Sequence, residues 1–231
     1  MNTAIQPVAP FEKDNYSQTE RHAQVLACKD RIDPEVLLVG DSITHFWGGE
    51  PVTPGAPRNG LPSFEKTFGG LRVLNLGYGY DRTQNVLWRF ENGELDGLHP
   101  KLAIVNIGTN NLPGSAMCRA NTPEETCEGV EKVCETLEAR CPGVRIILMC
   151  IFPRGPHADD PLRAPIERTN ALIVPMAARH GWRTINIGSL LLDPAGDLSS
   201  SIASDYTHPT AAGYEIWGDV VRPLVRAAVG R

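Results

Sequence analysis

Glu35-Val36-Leu37-Leu38-Val39-Gly40-Asp41-Ser42 sets the architecture of this chain. An apolar run of strand length leads straight into a glycine, an aspartate and a serine. A strand with one wet face would alternate polar and apolar side chains. A nearly continuous apolar run instead fits a parallel strand covered on both faces. Gly40 permits a tight turn at the end of that strand, and Ser42 opens a short helix.

The pattern recurs outward from there. Residues 72–76, 102–107, 144–151 and 183–187 are further short apolar runs. Helical stretches separate them, over 16–32, 83–92, 123–140, 162–180 and 209–229. Thr122 can cap the third helix, with Pro123 at its first position and Glu124 and Glu125 favouring the helix dipole. Cys141-Pro142-Gly143 ends it. Strands alternating with helices predict right-handed crossovers and an α/β chain, three-layered α/β/α around a five-stranded parallel sheet of flavodoxin-like order. No linker or repeat breaks the pattern, so residues 1–231 read as one domain, with a core over about 35–228 and an N-terminal extension and helix over 1–34. In such sheets ligands gather at the carboxyl ends of the strands. The Pro/Gly-rich segment 48–62 reads as a long loop directly after the turn that carries Ser42, suited to wall a site.

Composition excludes several classes. Apolar residues make up 42% of 231, enough to build a core without staples. A net charge of −5 with no run of Lys or Arg argues against a nucleic-acid partner. The apolar runs are too short to span a bilayer. The first sixteen residues lack a basic stretch followed by an apolar block. A cytoplasmic protein is expected on that basis, or a secreted or periplasmic one if a precursor segment is removed. The six cysteines include no C-x-x-C pair and no histidine at zinc spacing, so no structural metal is expected. They read as small, partly buried hydrophobes. Cys118 and Cys127 form a candidate disulfide in an oxidising compartment only.

Four segments can carry chemistry, each at the end of a strand or the start of a helix. Ser42 sits where a helix begins, with its own N–H free to meet a developing oxyanion. A serine there also serves commonly as a helix cap. Asp205-Tyr206-Thr207-His208-Pro209 places a carboxylate and an imidazole three residues apart, within hydrogen-bond reach on one turn. Serine needs a base to take its proton, and the base needs a third group to hold it. His208 and Asp205 can fill those roles, with Pro209 starting the last helix. Alternatively, Thr207 or His208 caps that helix. Gly108-Thr109-Asn110-Asn111 follows the run 102–107, and a side-chain amide there can donate to an oxyanion or simply shape a turn. Asn75-Leu76-Gly77-Tyr78-Gly79-Tyr80-Asp81-Arg82-Thr83 follows another strand. Its glycines let backbone approach a ligand, and a free N–H there can serve as a second oxyanion donor. Asp81 and Arg82 read as structural, a helix cap and a surface or ion-pair residue. Trp47 follows Ser42 closely and is a candidate wall for an apolar or sugar ligand.

Singly these signals are weak. Jointly, their order resembles the GDSL/SGNH hydrolases. The stretch from Asn75 to Asn111, with Val86-Leu87-Trp88-Arg89 and Asn92-Gly93-Glu94-Leu95, is similar to the catalytic subunits of the intracellular platelet-activating-factor acetylhydrolases and their bacterial relatives. The resemblance implies a serine esterase on a three-layer fold, lipase-like, with no metal and no cofactor. It implies Ser42 as nucleophile, Asp205 and His208 as the rest of a triad, and Ser42, Tyr80 and Asn110 as the oxyanion hole. Gly79, Tyr80 and Trp47 would touch a small-molecule ester, preferably a short acyl such as acetyl on a carbohydrate, small molecule or lipid. It also implies a homodimer. One block departs: the family glycine before the aspartate is Tyr80 here, with Gly79 one place earlier. A non-catalytic binding module on the same fold, or an acyltransferase using the same residues, are the rival readings.

Overall fold

The computed structural model describes residues 1–13, 16–115 and 118–230. A short antiparallel pair, β1 (Glu12–Lys13) and β2 (Tyr16–Ser17), precedes helix α1 (Gln18–Ile32). The main sheet comprises β3 (Val36–Gly40), β4 (Val73–Gly77), β5 (Leu102–Asn106), β6 (Arg145–Met149) and β7 (Arg183–Ile185). All its pairings are parallel, in the order β4-β3-β5-β6-β7. This is the expected five-stranded parallel sheet of flavodoxin-like order. The chain steps from β3 to β4 on one side and returns to β5 on the other. The crevice left at the carboxyl ends of β3 and β5 is the topological switch point.

The continuous apolar runs are explained by two separate cores. Leu37, Val39, Leu74, Leu76, Ala103, Val105, Ile146 and Leu148 face one side. There they meet α1, α4 (Thr83–Glu91), α5 (Pro123–Arg140) and α6 (Arg163–His180). Val36, Leu38, Val73, Leu102, Ile104, Ile147 and Met149 face the other, against α3 (Leu61–Phe68) and α8 (Ala211–Val229). Successive residues of each strand thus fill opposite cores, which is why no polar alternation appears. Two four-residue helices, α2 (Ser42–His45) and α7 (Gly188–Leu191), complete the order.

Several boundaries differ from expectation. Tyr16 and Ser17 leave the predicted first helix because Ser17 caps it, accepting from the Glu20 N–H at 2.9 Å. Helix α3 falls partly inside the segment expected to be loop, because Pro62 lies in its first turn and marks a start there, not a break. The last helix begins after Thr210, which caps it, and not at Pro209; neither Thr207 nor His208 is the cap. The end of α5 and its Thr122 cap stand as expected, and Glu125 completes a capping box with Thr122. All six cysteines are free thiols, five of them buried, so Cys118 and Cys127 form no bridge. Among the described residues no helix is long and apolar enough to cross a membrane.

Candidate active site

Ser42 is positioned by the close approach of α2 to the sheet. A side chain at Gly40 would place its Cβ 2.2 Å from both the Asn106 carbonyl oxygen and Thr44 Oγ1, so only glycine fits. Asp41 caps α2 by accepting from the Ile43 N–H at 2.9 Å. The cap is therefore Asp41, and Ser42 is the first helical residue. Asn75 Nδ2 donates to the carbonyls of Thr44 (3.0 Å) and Gly48 (2.6 Å). From α8, the Tyr214 hydroxyl donates to the Ile43 carbonyl at 2.6 Å. The turn is thus held from β4 and from the far end of the chain. Asp41 is fully buried, and burial pushes its carboxyl up to about 7, the Ile43 N–H opposing.

His208 reaches Ser42 from the segment between α7 and α8. Its Nε2 lies 2.8 Å from Ser42 Oγ. Its Nδ1 lies 2.6 Å from Asp205 Oδ2, while Asp205 Oδ1 accepts from the N–H groups of His208 (2.7 Å) and Thr207 (3.0 Å). Tyr206, between them, takes a left-handed backbone at φ 58° that closes this tight turn. Burial pushes the Asp205 carboxyl up, but the bonds from His208 and the backbone outweigh it and hold it below the usual aspartate value. An ionised Asp205 only accepts, so Nδ1 carries the imidazole proton and Nε2 is left to accept from Ser42.

The third group is Asn110, after β5. Its Nδ2 donates one hydrogen to the Asp81 carbonyl at 3.0 Å, leaving the other available toward the cleft that Asn110 lines. Its neighbour Asn111 is wholly buried and turns inward, bonding Thr83, Gln84 and Asn121. The turn is therefore structural at Asn111 and open at Asn110.

Tyr80 keeps the backbone a glycine would adopt, at φ 66°. A tyrosine in that region costs roughly 1–2 kcal/mol and needs flanking anchors. Gln18 Nε2 supplies them, donating at 2.8 Å to both the Gly79 carbonyl and Asp81 Oδ1. Asp81 is also paired with Arg89 at 2.5 Å, and Arg89 with Glu94, all fully out of solvent. Asp81 is thus an ion-pair residue and not the cap of α4, whose N-cap position is Arg82. Arg82 is no surface residue either; its guanidinium donates to the carbonyls of Asn111 and Arg119. Within the described residues, no hydrogen bond occupies the N–H of Ser42 or Tyr80, whereas the Gly79 N–H is turned to the Tyr16 hydroxyl. Tyr80 lines the cleft.

Trp47 departs from expectation. It has no solvent exposure, stacks on Trp217 with ring centroids 3.9 Å apart, and packs edge-on to Phe68. It belongs to the core between α3 and α8, so it cannot wall a ligand site. Its neighbour Phe46 takes that place, 5.2 Å from the His208 ring.

These groups surround a cleft of about 390 Å3. The loop after α2 does wall it, through Pro54, Gly55, Ala56 and Pro57. Sequence reasoning missed Lys13, Tyr16, Phe46, Arg154 and Thr207 as lining residues. Lys13 and Tyr16 face each other across the β1–β2 pair, inside a stretch read as extension and helix. Tyr16 OH lies 3.1 Å from His45 Nδ1. Arg154, in Phe152-Pro153-Arg154-Gly155, follows an apolar strand and carried no local signal.

The profile of the GDSL-like lipase/acylhydrolase family matches residues 38–216. The alpha2 subunit of platelet-activating factor acetylhydrolase IB from Rattus norvegicus is 31% identical over 215 residues, covering 93% of this chain and 84% of that protein. The human alpha1 subunit is 30% identical over 209 residues, covering 90% and 82%. Among solved structures, a GDSL-like lipase from Bacteroides thetaiotaomicron superposes with a TM-score of 0.65 at 20% identity, covering 90% of this chain and 99% of that one. An acetylxylan esterase from Geobacillus stearothermophilus gives 0.64 at 18%, covering 86% and 94%. These two share the fold. The chain belongs to the GDSL-like lipase/acylhydrolase family. It is a carboxylic ester hydrolase.

Proposed function

We propose that Ser42, His208 and Asp205 are the catalytic triad and that the enzyme hydrolyses short-chain acyl esters, acetyl esters above all, of a carbohydrate, small molecule or lipid. The observation that carries this is the unbroken relay from Asp205 Oδ2 through both ring nitrogens of His208 to Ser42 Oγ. His208 Nε2 takes the hydroxyl proton as Ser42 Oγ bonds to the ester carbonyl carbon. The oxyanion is met by the free N–H of Ser42, the N–H of Tyr80 and the second hydrogen of Asn110 Nδ2. The carbon–oxygen bond to the alcohol then breaks, and His208 returns the proton to the leaving alkoxide. Water attacks the acyl-enzyme with His208 again as base, releasing the carboxylic acid and Ser42. No cofactor enters this sequence of steps.

Two proteins similar to this one are named as an acetylhydrolase and an acetylxylan esterase, which supports a short acyl group. The test is labelling with a fluorophosphonate and turnover of a chromogenic acetate ester, with Ser42→Ala alongside. Labelling and turnover are expected in the native protein and neither in the variant. Retention of both by Ser42→Ala sinks the assignment. A series of acetyl, butyryl and octanoyl esters of one phenol tests chain length, with kcat/KM expected to fall along it.

A further inference from the structure

The cleft beside Ser42 carries an uneven charge. Among the described residues its lining includes two cations, Lys13 and Arg154, and no Asp or Glu, in a chain whose net charge is −5. Neither cation is in an ion pair with a carboxylate of the described residues. Lys13 Nζ sits 4.2 Å above the Tyr80 ring. Among the described residues the Arg154 guanidinium makes one hydrogen bond, Nη1 to the Thr109 carbonyl at a long 3.3 Å. The carboxylates whose charge reaches Arg154 are Asp41, Asp160 and Asp205. Each is engaged elsewhere: Asp41 with the Ile43 N–H, Asp160 with the Leu162 N–H, and Asp205 with His208.

Arg154 is nevertheless held firmly. Arg163, itself 5% exposed, donates from Nε to the Arg154 carbonyl at 2.7 Å and from Nη2 to the Gly155 carbonyl at 2.9 Å. A buried arginine from α6 thus clamps the backbone that carries Arg154. A half-buried guanidinium with unused donors, on a rigid support, is arranged to receive a planar or tetrahedral anion. Its contact with Thr109 places it one residue from Asn110, on the oxyanion side of the cleft.

We propose that the physiological ester bears an anionic group, a carboxylate or a phosphate, close to the ester carbonyl, and that Arg154 is the residue that selects it, with Lys13 drawing it in at the mouth. This rests on the esterase reading above, and it adds what that reading leaves open: the charge of the substrate. Lys13, exposed and on the β1–β2 pair, contributes attraction more than fixed geometry.

The experiment uses three aryl acetates matched in size: 3-acetoxybenzoate, 3-acetoxyphenyl phosphate and the neutral 3-acetoxybenzamide. With the native enzyme at low salt, kcat/KM for one or both charged esters should exceed that for the amide by about tenfold or more, the effect of one charge-assisted hydrogen bond. The comparison of benzoate with phosphate identifies which anion fits. Arg154→Gln should bring the ratio of charged to neutral ester close to one, mostly through KM, and Arg154→Lys should restore part of it. In the native enzyme the ratio should also shrink as salt is raised, a readout that needs no variant. An unchanged ratio in Arg154→Gln, or an equal loss on charged and neutral esters, overturns the proposal. So does a native enzyme that shows no preference.

A binding arm separates this from the failure of the esterase reading. Ser42→Ala is titrated calorimetrically with 3-acetoxybenzoate and with 3-acetoxybenzamide, then again with Arg154→Gln added. Preferential binding of the benzoate that Arg154→Gln abolishes supports the anion site even if the native protein turns over no ester. Equal binding of the two compounds overturns the anion site even if the esterase activity is confirmed.

Discussion

Ser42 Oγ and His208 Nε2 stand 2.8 Å apart although 166 positions of chain separate them. One lies where β3 gives way to α2, the other before α8, and the sheet and the packing of α8 bring them together. Their contact predicts tightly coupled losses. Ser42→Ala and His208→Gln should each reduce kcat by about 10⁴ or more, and the double variant should lose little beyond either single one. Asp205→Asn, which spoils the tautomer at Nδ1, should fall by about 10⁴. Additive losses in the double variant, measured on a chromogenic acetate ester, would show that the two side chains act separately.

Asn110 tests the oxyanion assignment. Its amide is oriented by the Asp81 carbonyl and has a second hydrogen to give. Asn110→Ala should lower kcat by roughly 10²–10³ while KM changes little, because the bond forms only as charge develops on the carbonyl oxygen. A loss confined to KM would make Asn110 a ground-state contact instead.

Tyr80 tests how much the left-handed backbone matters. Tyr80→Gly relieves the strain at φ 66° and should leave the melting temperature within a few degrees of native, strain relief and unfolded-state entropy roughly offsetting. Tyr80→Val, β-branched in the same conformation, should destabilise by about 1–3 kcal/mol and depress kcat through the displaced N–H. If Val is tolerated as well as Gly in thermal melts and in turnover, the anchoring by Gln18 does not enforce that conformation.

Trp47 is a stability residue by its position. Trp47→Ala should cost about 3–5 kcal/mol in denaturant unfolding, through the cavity left against Trp217 and Phe68. In whatever fraction remains folded, KM for acetate esters should stay near native, since the indole does not reach the cleft. A rise in KM with no loss of stability would return Trp47 to the substrate wall.

Asp41 predicts a pH dependence. Its carboxyl is raised by burial from 3.8 to about 7 in the folded protein. An acid whose folded value exceeds its unfolded one binds its proton more tightly when folded. Its contribution is therefore complete below about pH 4 and is lost as pH rises through about 7, a difference on the order of a few kcal/mol. Asp41→Asn can keep the cap on Ile43 but has no proton to lose. Urea midpoints from pH 5 to 8 should fall more steeply for the native protein than for Asp41→Asn; parallel curves would contradict the buried-acid assignment.

The strands and the chemical turns were legible because their signals are local. Runs such as Val36–Gly40 are apolar throughout, and they end in glycines that only a turn or a close approach requires. Helix α3 was hidden because Pro62 reads equally as a breaker and as a starter, and the choice depends on α8 packing against the helix that follows. Tyr16 was drawn into helix α1 because helical spacing runs on past Ser17, and only the cap and the pairing with Lys13 stop it.

By itself the sequence determined the alternation of strands and helices, the sheet class, and the order in which serine and asparagine arrive at strand ends and aspartate and histidine arrive before the last helix. Those follow from periodicity and from the backbone demands of glycine, which act over a few residues. The tertiary structure alone decided that Trp47 turns inward and Phe46 outward, that Tyr80 holds a glycine's backbone, and that Lys13 and Arg154 share the cleft with Ser42. Each of those outcomes depends on packing or hydrogen bonding between segments distant in sequence, where no local pattern records which face a side chain will take.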